Sequence, residues 1–270
     1  RSWLSILHFQ STSVVGETSS ILLEKKMMAK FFRIFAFVIV TFRNFEAQIK
    51  RMIQVHNLGL NDSVFNQFIA EIRDAEIQQD RLRFRYNMER LGEIMAYEIS
   101  KTFEYEEREV TTQLGVAQVR VLKQQPVIAT ILRAGLPFHA GLLRMFDRAD
   151  NAFVATYRKY DRNESPEINV EYCSASDMNG RPLILCDPML ATGESLVQTL
   201  EYMLDDEQVP SHIHIVVGIA SQEGVEHVRR ALSRKPVTIW VGAIDDELTA
   251  HAYIVPGMGD AGDLAFGEKR

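Results

Sequence analysis

The chain has 270 residues, of which 46% are hydrophobic, and a formal net charge of −6. This length and apolar content are sufficient for one domain with a complete core. Residues 1–51 carry 8 Lys/Arg and 3 Asp/Glu, so 22 of the 30 basic and 33 of the 36 acidic residues follow, a net charge of −11. So acidic a body argues against a nucleic-acid partner, because binding to a phosphate backbone needs clustered positive charge.

The first 51 residues differ in texture from the rest. The apolar run at residues 31–42 is interrupted by Arg33 and is too short to cross a bilayer, so no membrane partner is predicted. It resembles a signal-peptide core, but no small-residue cleavage site follows it. We expect residues 1–51 to be disordered or to precede a native start at Met52, with a targeting segment as the alternative that N-terminal sequencing would test. One domain is then predicted over residues 52–270.

Two helices are predicted before the first buried strand. Residues 61–63 offer N-caps for apolar residues at helical spacing up to residue 72, and a second helix spans residues 81–101. The safer interpretation of the second helix's arginines is a solvated face, with an oligomer contact as the alternative. They are Arg81, Arg83, Arg85 and Arg90. Residues 104–109 are an acidic run expected at the surface, and residues 116–122 alternate like a half-exposed strand.

Strand and helix patterns alternate after Pro126. Strands are predicted at residues 127–132, 152–157, 168–173, 183–187, 213–220 and 237–243, and helices at residues 137–149, 196–204 and 223–232. Asn179-Gly180 predicts a hairpin turn, and residues 158–166 predict a charged loop. The alternation predicts an α/β fold, a mostly parallel sheet flanked by helices, with a helical region before it.

The two cysteines indicate a reducing compartment. Cys173 and Cys186 lie in apolar, strand-like segments without metal-ligand spacing. We therefore predict free, buried thiols, which favour a cytoplasmic location.

Three predicted strands end in residues suited to a phosphorylated ligand. Arg133 and Arg158 follow two of them, and guanidinium groups match phosphate oxygens. The third turns at Asp187-Pro188 into a small-residue loop and a helix start, where free N–H groups and the helix dipole favour an anion. We name residues 187–195 the phosphate loop. Asp187 suits sugar hydroxyls, which suggests a ribose phosphate, although a strand-end Arg133 is equally well explained by a salt bridge.

Two common nucleotide motifs are excluded at this loop. No lysine follows Gly193, so the loop is not a Walker A motif, and it does not match the dinucleotide fingerprint. No histidine lies in a motif either, and His139 is expected on a helix surface. We therefore assign no general base.

A glycine-rich segment near the C-terminus is predicted to be a shaped loop. Residues 253–263 contain too much glycine and proline for a stable helix or a sheet interior. Exposed backbone N–H and C=O groups can read the edge of a planar amide such as a pyrimidine. A plain surface turn is the alternative.

Together these three segments resemble the uracil phosphoribosyltransferase family. Residues 131–136 resemble its pyrophosphate-contacting turn, residues 187–193 its loop for 5-phosphoribosyl 1-diphosphate, and residues 253–263 its uracil-binding hood. The resemblance covers residues 52–269 and implies the type I phosphoribosyltransferase fold. We name residues 251–266 the hood. The implied reaction joins uracil N1 to the phosphoribosyl group, giving UMP and diphosphate.

The resemblance also implies site residues. Catalytic roles fall to Asp187, Arg133 and Asp260. The residues implied to bind the donor are Arg133, Arg158, Asp187, Pro188, Met189, Leu190, Ala191, Thr192, Gly193, Glu194, Ser195 and Asp260. Those implied to bind uracil are Ile254, Gly259, Asp260 and Ala261. Mg²⁺ is implied as a cofactor held through the donor diphosphate, with no direct side-chain ligand assigned.

Three positions depart from the family pattern. Glu194 stands where glycine is common, so its carboxylate is expected to point to solvent, and Leu264 replaces a usual arginine. The context of Arg158 is also unusual. A homo-oligomer is expected, and GTP activation is left open. The alternatives are a regulator of this fold that binds nucleotide and RNA, and transfer to another base.

Overall fold

The computed structural model describes residues 53–160, 166–204 and 207–269, without the side chains of residues 157–170. The predictions for residues 1–51 lie outside these residues. The strands are β1 Gln54–Asn57, β2 Tyr105–Thr111, β3 Val116–Leu122, β4 Val127–Leu132, β5 Asp150–Tyr160, β6 Pro166–Ser174, β7 Pro182–Leu190, β8 His212–Ser221, β9 Val237–Asp245, β10 Glu247–Leu248 and β11 Ile254–Val255. The helices are α1 Val64–Arg73, α2 Arg81–Ser100, α3 Leu136–Met145, α4 Glu194–Met203, α5 Gln222–Ala231 and α6 Ala261–Phe266.

A seven-stranded sheet forms the centre of the fold. Its strand order is β1-β9-β8-β7-β4-β5-β6. All neighbouring pairs are parallel except β5 and β6, which form an antiparallel edge. The predicted α/β class with a mostly parallel sheet is confirmed.

Both faces of the sheet are buried, because successive residues of its strands point to opposite sides. Leu183 and Leu185 of β7 join one core with apolar residues of α4 and α5. Ile184 and Cys186, between and after them, join a second core with α1, α2, α3 and α6. Three layers therefore hold the carboxyl ends of the parallel strands at one common edge. Among the described residues, no helix has the length and apolar character that crossing a membrane requires.

The acidic run is exposed, as predicted, and it forms β2, which pairs with β3 as a hairpin that we name the arm. Two other local predictions were wrong. Asn179-Gly180 is a turn but not a hairpin, because β6 pairs with β5 and β7 pairs with β4 and β8. Arg158, predicted in a loop, lies within β5, paired with Ile168.

β7 does not turn at Asp187-Pro188 but continues to Leu190. Its pairing with β4 ends at Cys186, whereas its pairing with β8 reaches Leu190. Pro188 thus lies where β7 has a neighbour on one side only, and there the missing proline N–H is tolerated. The crevice between β4 and β7 opens at this point.

The α2 arginines are not simply a solvated face. Arg83 forms a bidentate pair with Glu71 at 2.7 and 2.8 Å, and Arg85 donates to the Ala265 carbonyl at 2.7 Å. Asn87, which is fully buried, also donates to Glu71. These contacts fasten α2 to α1 and to α6.

Glu71 makes stability sensitive to acid. Hydrogen bonds from Arg83 and then Asn87 hold the pKa of Glu71 at about 2, below its ordinary 4.5. A lowered pKa in the folded state stabilises the protein at pH values above the pKa of the unfolded state. This contribution is lost as pH falls from about 4.5 toward 2.

In Glu71→Gln we expect a lower free energy of unfolding at pH 7 and a smaller further loss of that free energy between pH 5 and 3, measured by urea denaturation. Glu98→Gln, at an exposed pair with Lys101, is the control, with a change within about 0.5 kcal/mol. An unchanged pH slope in Glu71→Gln would contradict the prediction.

Candidate active site

A cavity of about 1090 Å³ opens at the carboxyl ends of β4 and β7, beside Ala155 and Thr156 of β5. The hood forms its opposite wall through His251, Ala252, Tyr253, Ile254 and Asp260. Ligands of open α/β sheets collect at this edge. Its location therefore agrees with the strand-end reasoning from the sequence.

The phosphate loop passes from β7 to α4 at the floor of the cavity. Gly193 has φ +83°, a left-handed conformation that strains residues with a side chain, and α4 begins at the next residue. The loop is held from behind, because Ser221 donates its hydroxyl to the Ala191 carbonyl. A Cβ on Gly224 would lie 2.2 Å from that same carbonyl oxygen, so glycine permits α5 to approach. The result is a fixed loop at the start of α4, where N–H groups without intrahelical partners can bind an anion.

Glu194 does not obstruct this loop. Its side chain is exposed and is not among the residues lining the cavity, while Thr192, Gly193 and Ser195 are. Its position in the first turn of α4 is favourable for a carboxylate, because the helix dipole is positive there.

Arg133 links the turn after β4 to the C-terminal segment. One guanidinium nitrogen, Nη2, lies 3.2 Å from Asp263 Oδ1 and 3.3 Å from the Gly267 carbonyl. Its Nε is buried and has no acceptor among the described residues. The salt bridge predicted as an alternative therefore exists, and it leaves the buried Nε donor without a partner among the described residues.

Asp187 sits in the cavity with a raised proton affinity. Burial raises the pKa of Asp187 to about 7 from 3.8, against a lowering contribution from the Met189 N–H. A carboxyl group in this range can serve as donor or acceptor toward hydroxyl groups near neutral pH.

The hood is fixed by a long-range ion pair. Arg73 donates to both carboxylate oxygens of Asp245 at 2.7 and 2.8 Å, and Asp245 accepts from the Gly257 N–H at 2.9 Å. Arg73 also donates to the Gly257 carbonyl at 2.9 Å. Both backbone groups of Gly257, whose φ is +59°, are therefore satisfied.

One prediction for the hood was wrong, since its end is helical. α6 begins at Ala261, inside the segment predicted to exclude helix, because Asp260 caps it by accepting from the Asp263 N–H at 3.0 Å. His139 was also misplaced. It is 5% exposed, and its Nε2 lies 2.8 Å from Asn151 Oδ1.

Most of the predicted site residues meet at this cavity. Those that line it are Arg133, Asp187, Met189, Leu190, Ala191, Thr192, Gly193, Ser195, Ile254 and Asp260. Those that do not are Pro188, Glu194, Gly259 and Ala261. The Arg158 side chain lies outside the described residues. The roles of all of them remain predictions.

Among the lining residues missed from the sequence, three are polar and lie outside the quoted motifs: Thr156, His251 and Lys269. Thr156 directly follows Ala155, which pairs with Leu132 at the end of β4, so the strand-end rule could have found it. His251 lies two positions before the quoted hood motif. Lys269 carries no sequence signal for a site, and only the course of the chain after α6 brings it to the cavity.

Fold and cavity together are those of an α/β protein that binds a phosphorylated ligand at its strand ends. The family model of uracil phosphoribosyltransferase matches residues 60–268. The uracil phosphoribosyltransferase of Porphyromonas gingivalis is 50% identical over 217 residues, 80% of this chain and 100% of the relative. That of Pyrococcus furiosus is 35% identical over 205 residues, 75% of this chain and 85% of the relative. The chain belongs to the uracil phosphoribosyltransferase family.

A solved structure supports the fold. The AQ2163 protein from Aquifex aeolicus matches with a TM-score of 0.70 and 29% identity. The match covers 79% of this chain and 98% of that protein. The resemblance inferred from the three sequence segments is thus confirmed.

Asp187 is expected to weaken the unliganded fold. Because its folded-state pKa exceeds the unfolded value, stability falls as pH rises from about 4 to 7, and the cost is complete above 7. We expect Asp187→Asn to be about 1–3 kcal/mol more stable than the wild type at pH 8, with no such gain at pH 4. Thermal and urea unfolding at both pH values measure this, with the exposed Asp246→Asn as control. A gain equal at both pH values would count against titration as its cause.

Proposed function

We propose that the chain transfers the 5-phosphoribosyl group from 5-phosphoribosyl 1-diphosphate to N1 of uracil, giving UMP and diphosphate in pyrimidine salvage. The observation that carries this proposal is one cavity with the phosphate loop on its floor and the hood as its wall. A donor with a phosphate at one end and a planar acceptor at its reacting carbon needs both features together.

In this reaction the bond between C1′ and the diphosphate oxygen breaks as the bond from uracil N1 to C1′ forms. Positive charge develops on the ribose and negative charge on the leaving diphosphate. We assign the 5′-phosphate to the N–H groups of the loop before α4, the ribose hydroxyls to Asp187, and the diphosphate to Arg133. Catalysis then comes from positioning and from charge stabilisation, with the proton of N1 released without an assigned base.

Uracil recognition is assigned to the backbone of the hood. Ile254 is buried and lines the cavity, so its peptide groups can present a fixed edge to the ring. Gly259 and Ala261 lie next in the hood, one at φ +86° and the other buried at the start of α6. The contacts of Arg73 and Asp245 with the Gly257 backbone support this role, because they fix the chain between Ile254 and Gly259.

Mg²⁺ fits the donor set of this cavity. Asp187 and Asp260 supply carboxylate oxygens, the ligands that this cation prefers. Among the described residues no group of three or more His, Cys, Asp or Glu could hold a metal ion. We propose that oxygens of the donor diphosphate would supply most of the ligands. When bound, Mg²⁺ would offset the charge of the leaving group.

The assay for this function measures UMP formation from uracil, donor and Mg²⁺, beside cytosine, orotate and purine bases. We expect uracil to be the one base of this panel that is converted, and chelation of Mg²⁺ to abolish activity. In Asp187→Ala we expect kcat/KM to fall about 100-fold. Wild-type kcat/KM in that variant would remove Asp187 from the site. RNA retention on filters without UMP formation would favour the regulator, which the net charge of −11 disfavours.

A homo-oligomer is the second part of the proposal, and the arm supports it. One face of the arm carries the apolar residues Val110, Ala117, Val119 and Val121, with Glu106 and Arg108 beside them, according to the strand register, and we call it the apolar face. Val110 and Val119 are 40% and 36% exposed. A two-stranded hairpin without a packed face is marginal in water, and a second copy can cover this one symmetrically.

Charge on the apolar face of the arm should dissociate the oligomer. We expect the double variant Val110→Lys, Val119→Lys to sediment at the mass of one chain while the wild type sediments as a multiple of it. Glu107→Lys with Gln118→Lys, on the polar face of the same arm, should keep the wild-type mass. A monomeric wild type would overturn the oligomer proposal.

We further propose a cytoplasmic location. Both cysteines are free, Cys186 is fully buried, and Cys173 is partly exposed, which corrects its predicted burial. Burial raises the pKa of Cys186 to about 12, so its thiol is inert.

A further inference from the structure

The charges of the cavity do not balance a bound diphosphate. Of the described residues that line it, Arg133 and Lys269 are the formal cations, and Asp187 and Asp260 are carboxylic acids. Arg133 already neutralises Asp263 through its Nη2 contact at 3.2 Å. Among the described side chains, the diphosphate of the proposed donor would therefore meet one shared guanidinium and one ammonium group.

Lys269 is the cation that the protein leaves uncommitted. Its side chain is exposed, and none of the ion pairs between described residues includes it. A lysine ammonium is a compact charge on a flexible stem, which can follow a phosphate group as it moves. By contrast, Arg133 must release the Asp263 carboxylate before both edges of its guanidinium group can bind a ligand.

The segment that carries Lys269 is held in place from two sides. α6 ends at Phe266 and is capped by Gly267, whose N–H donates to the Asp263 carbonyl and whose φ is +90°. Arg133 donates to the Gly267 carbonyl, and Arg85 donates to that of Ala265. The side chain of Lys269 therefore reaches the cavity as a consequence of backbone anchoring, not of an ion pair of its own.

Resting on the proposed reaction, we propose that Lys269 is a diphosphate-binding catalytic residue, which contacts the leaving group of the donor together with Arg133. Negative charge on the diphosphate grows as the bond to C1′ breaks, so the contact strengthens toward the transition state.

The test compares Lys269→Met and Lys269→Arg with Lys235→Met, an exposed lysine at the amino end of β9. Loss of one charge-assisted contact predicts a fall of about 10- to 100-fold in kcat/KM for the donor in Lys269→Met. The KM for uracil and the melting temperature should stay at wild-type values. Lys269→Arg should recover most of the activity, and Lys235→Met should match the wild type.

Calorimetric titration with the Mg²⁺ complex of the donor, without uracil, measures the same contact independently of turnover. A weaker Kd in Lys269→Met alone supports the proposal. Wild-type Kd and kcat/KM in Lys269→Met, or equal losses in Lys269→Met and Lys269→Arg, would overturn it. A wild-type protein that binds the donor but forms no UMP would refute the proposed transfer to uracil while leaving the Lys269 contact measurable.

Discussion

The rest of the site depends on the ion pair between Arg73 and Asp245. Asp245 is 8% exposed and satisfies its two oxygens with one guanidinium group and the Gly257 N–H. A charge so buried is tolerated only when it is paired and hydrogen-bonded. The pair joins the end of α1 to the end of β9, and Gly257 brings the hood to the same point. A loop with two glycines at positive φ thereby acquires one conformation over the strand ends.

A second constraint lies in the sheet, where neighbouring strands stop pairing at different residues. β7 separates from β4 after Cys186 but remains beside β8 for four more residues, so a crevice opens without interrupting the core. Glycine is used where segments beside this crevice pack closely. A Cβ on Gly135 would lie 2.1 Å from Thr130 Oγ1, and Gly224 allows contact with the Ala191 carbonyl. The position of the cavity is therefore set by the strand register and by close backbone packing. A few side chains then make its walls polar.

The sequence was sufficient to predict the elements whose signals are local. Buried strands such as β4 are continuous apolar runs, and the phosphate loop is recognisable from small residues that precede a helical pattern. The pairing of β6 could not be predicted, since Asn179-Gly180 is a good turn sequence whether or not the flanking strands pair. Nor could Arg73 and Asp245, 172 positions apart, be matched, because many arginines and aspartates are available. The position of Lys269 at the cavity could not be predicted either, because it depends on contacts of Gly267 with residues that are distant in the sequence.

Three groups at the cavity are only partly satisfied by the rest of the described protein. Asp187 binds its proton more tightly than an exposed carboxyl does, the Arg133 Nε has no acceptor, and Lys269 has no acid partner among the described residues. Arg133 pairs with Asp263 through Nη2, whereas Asp187 and Lys269 have no ion-pair partner among those residues. Interactions withheld in the free protein are available to the bound state, because affinity and rate depend only on interactions that form on binding or in the transition state. The ion pair between Arg73 and Asp245 fixes the hood without using the polar groups inside the cavity. Those groups therefore stay available to a ligand.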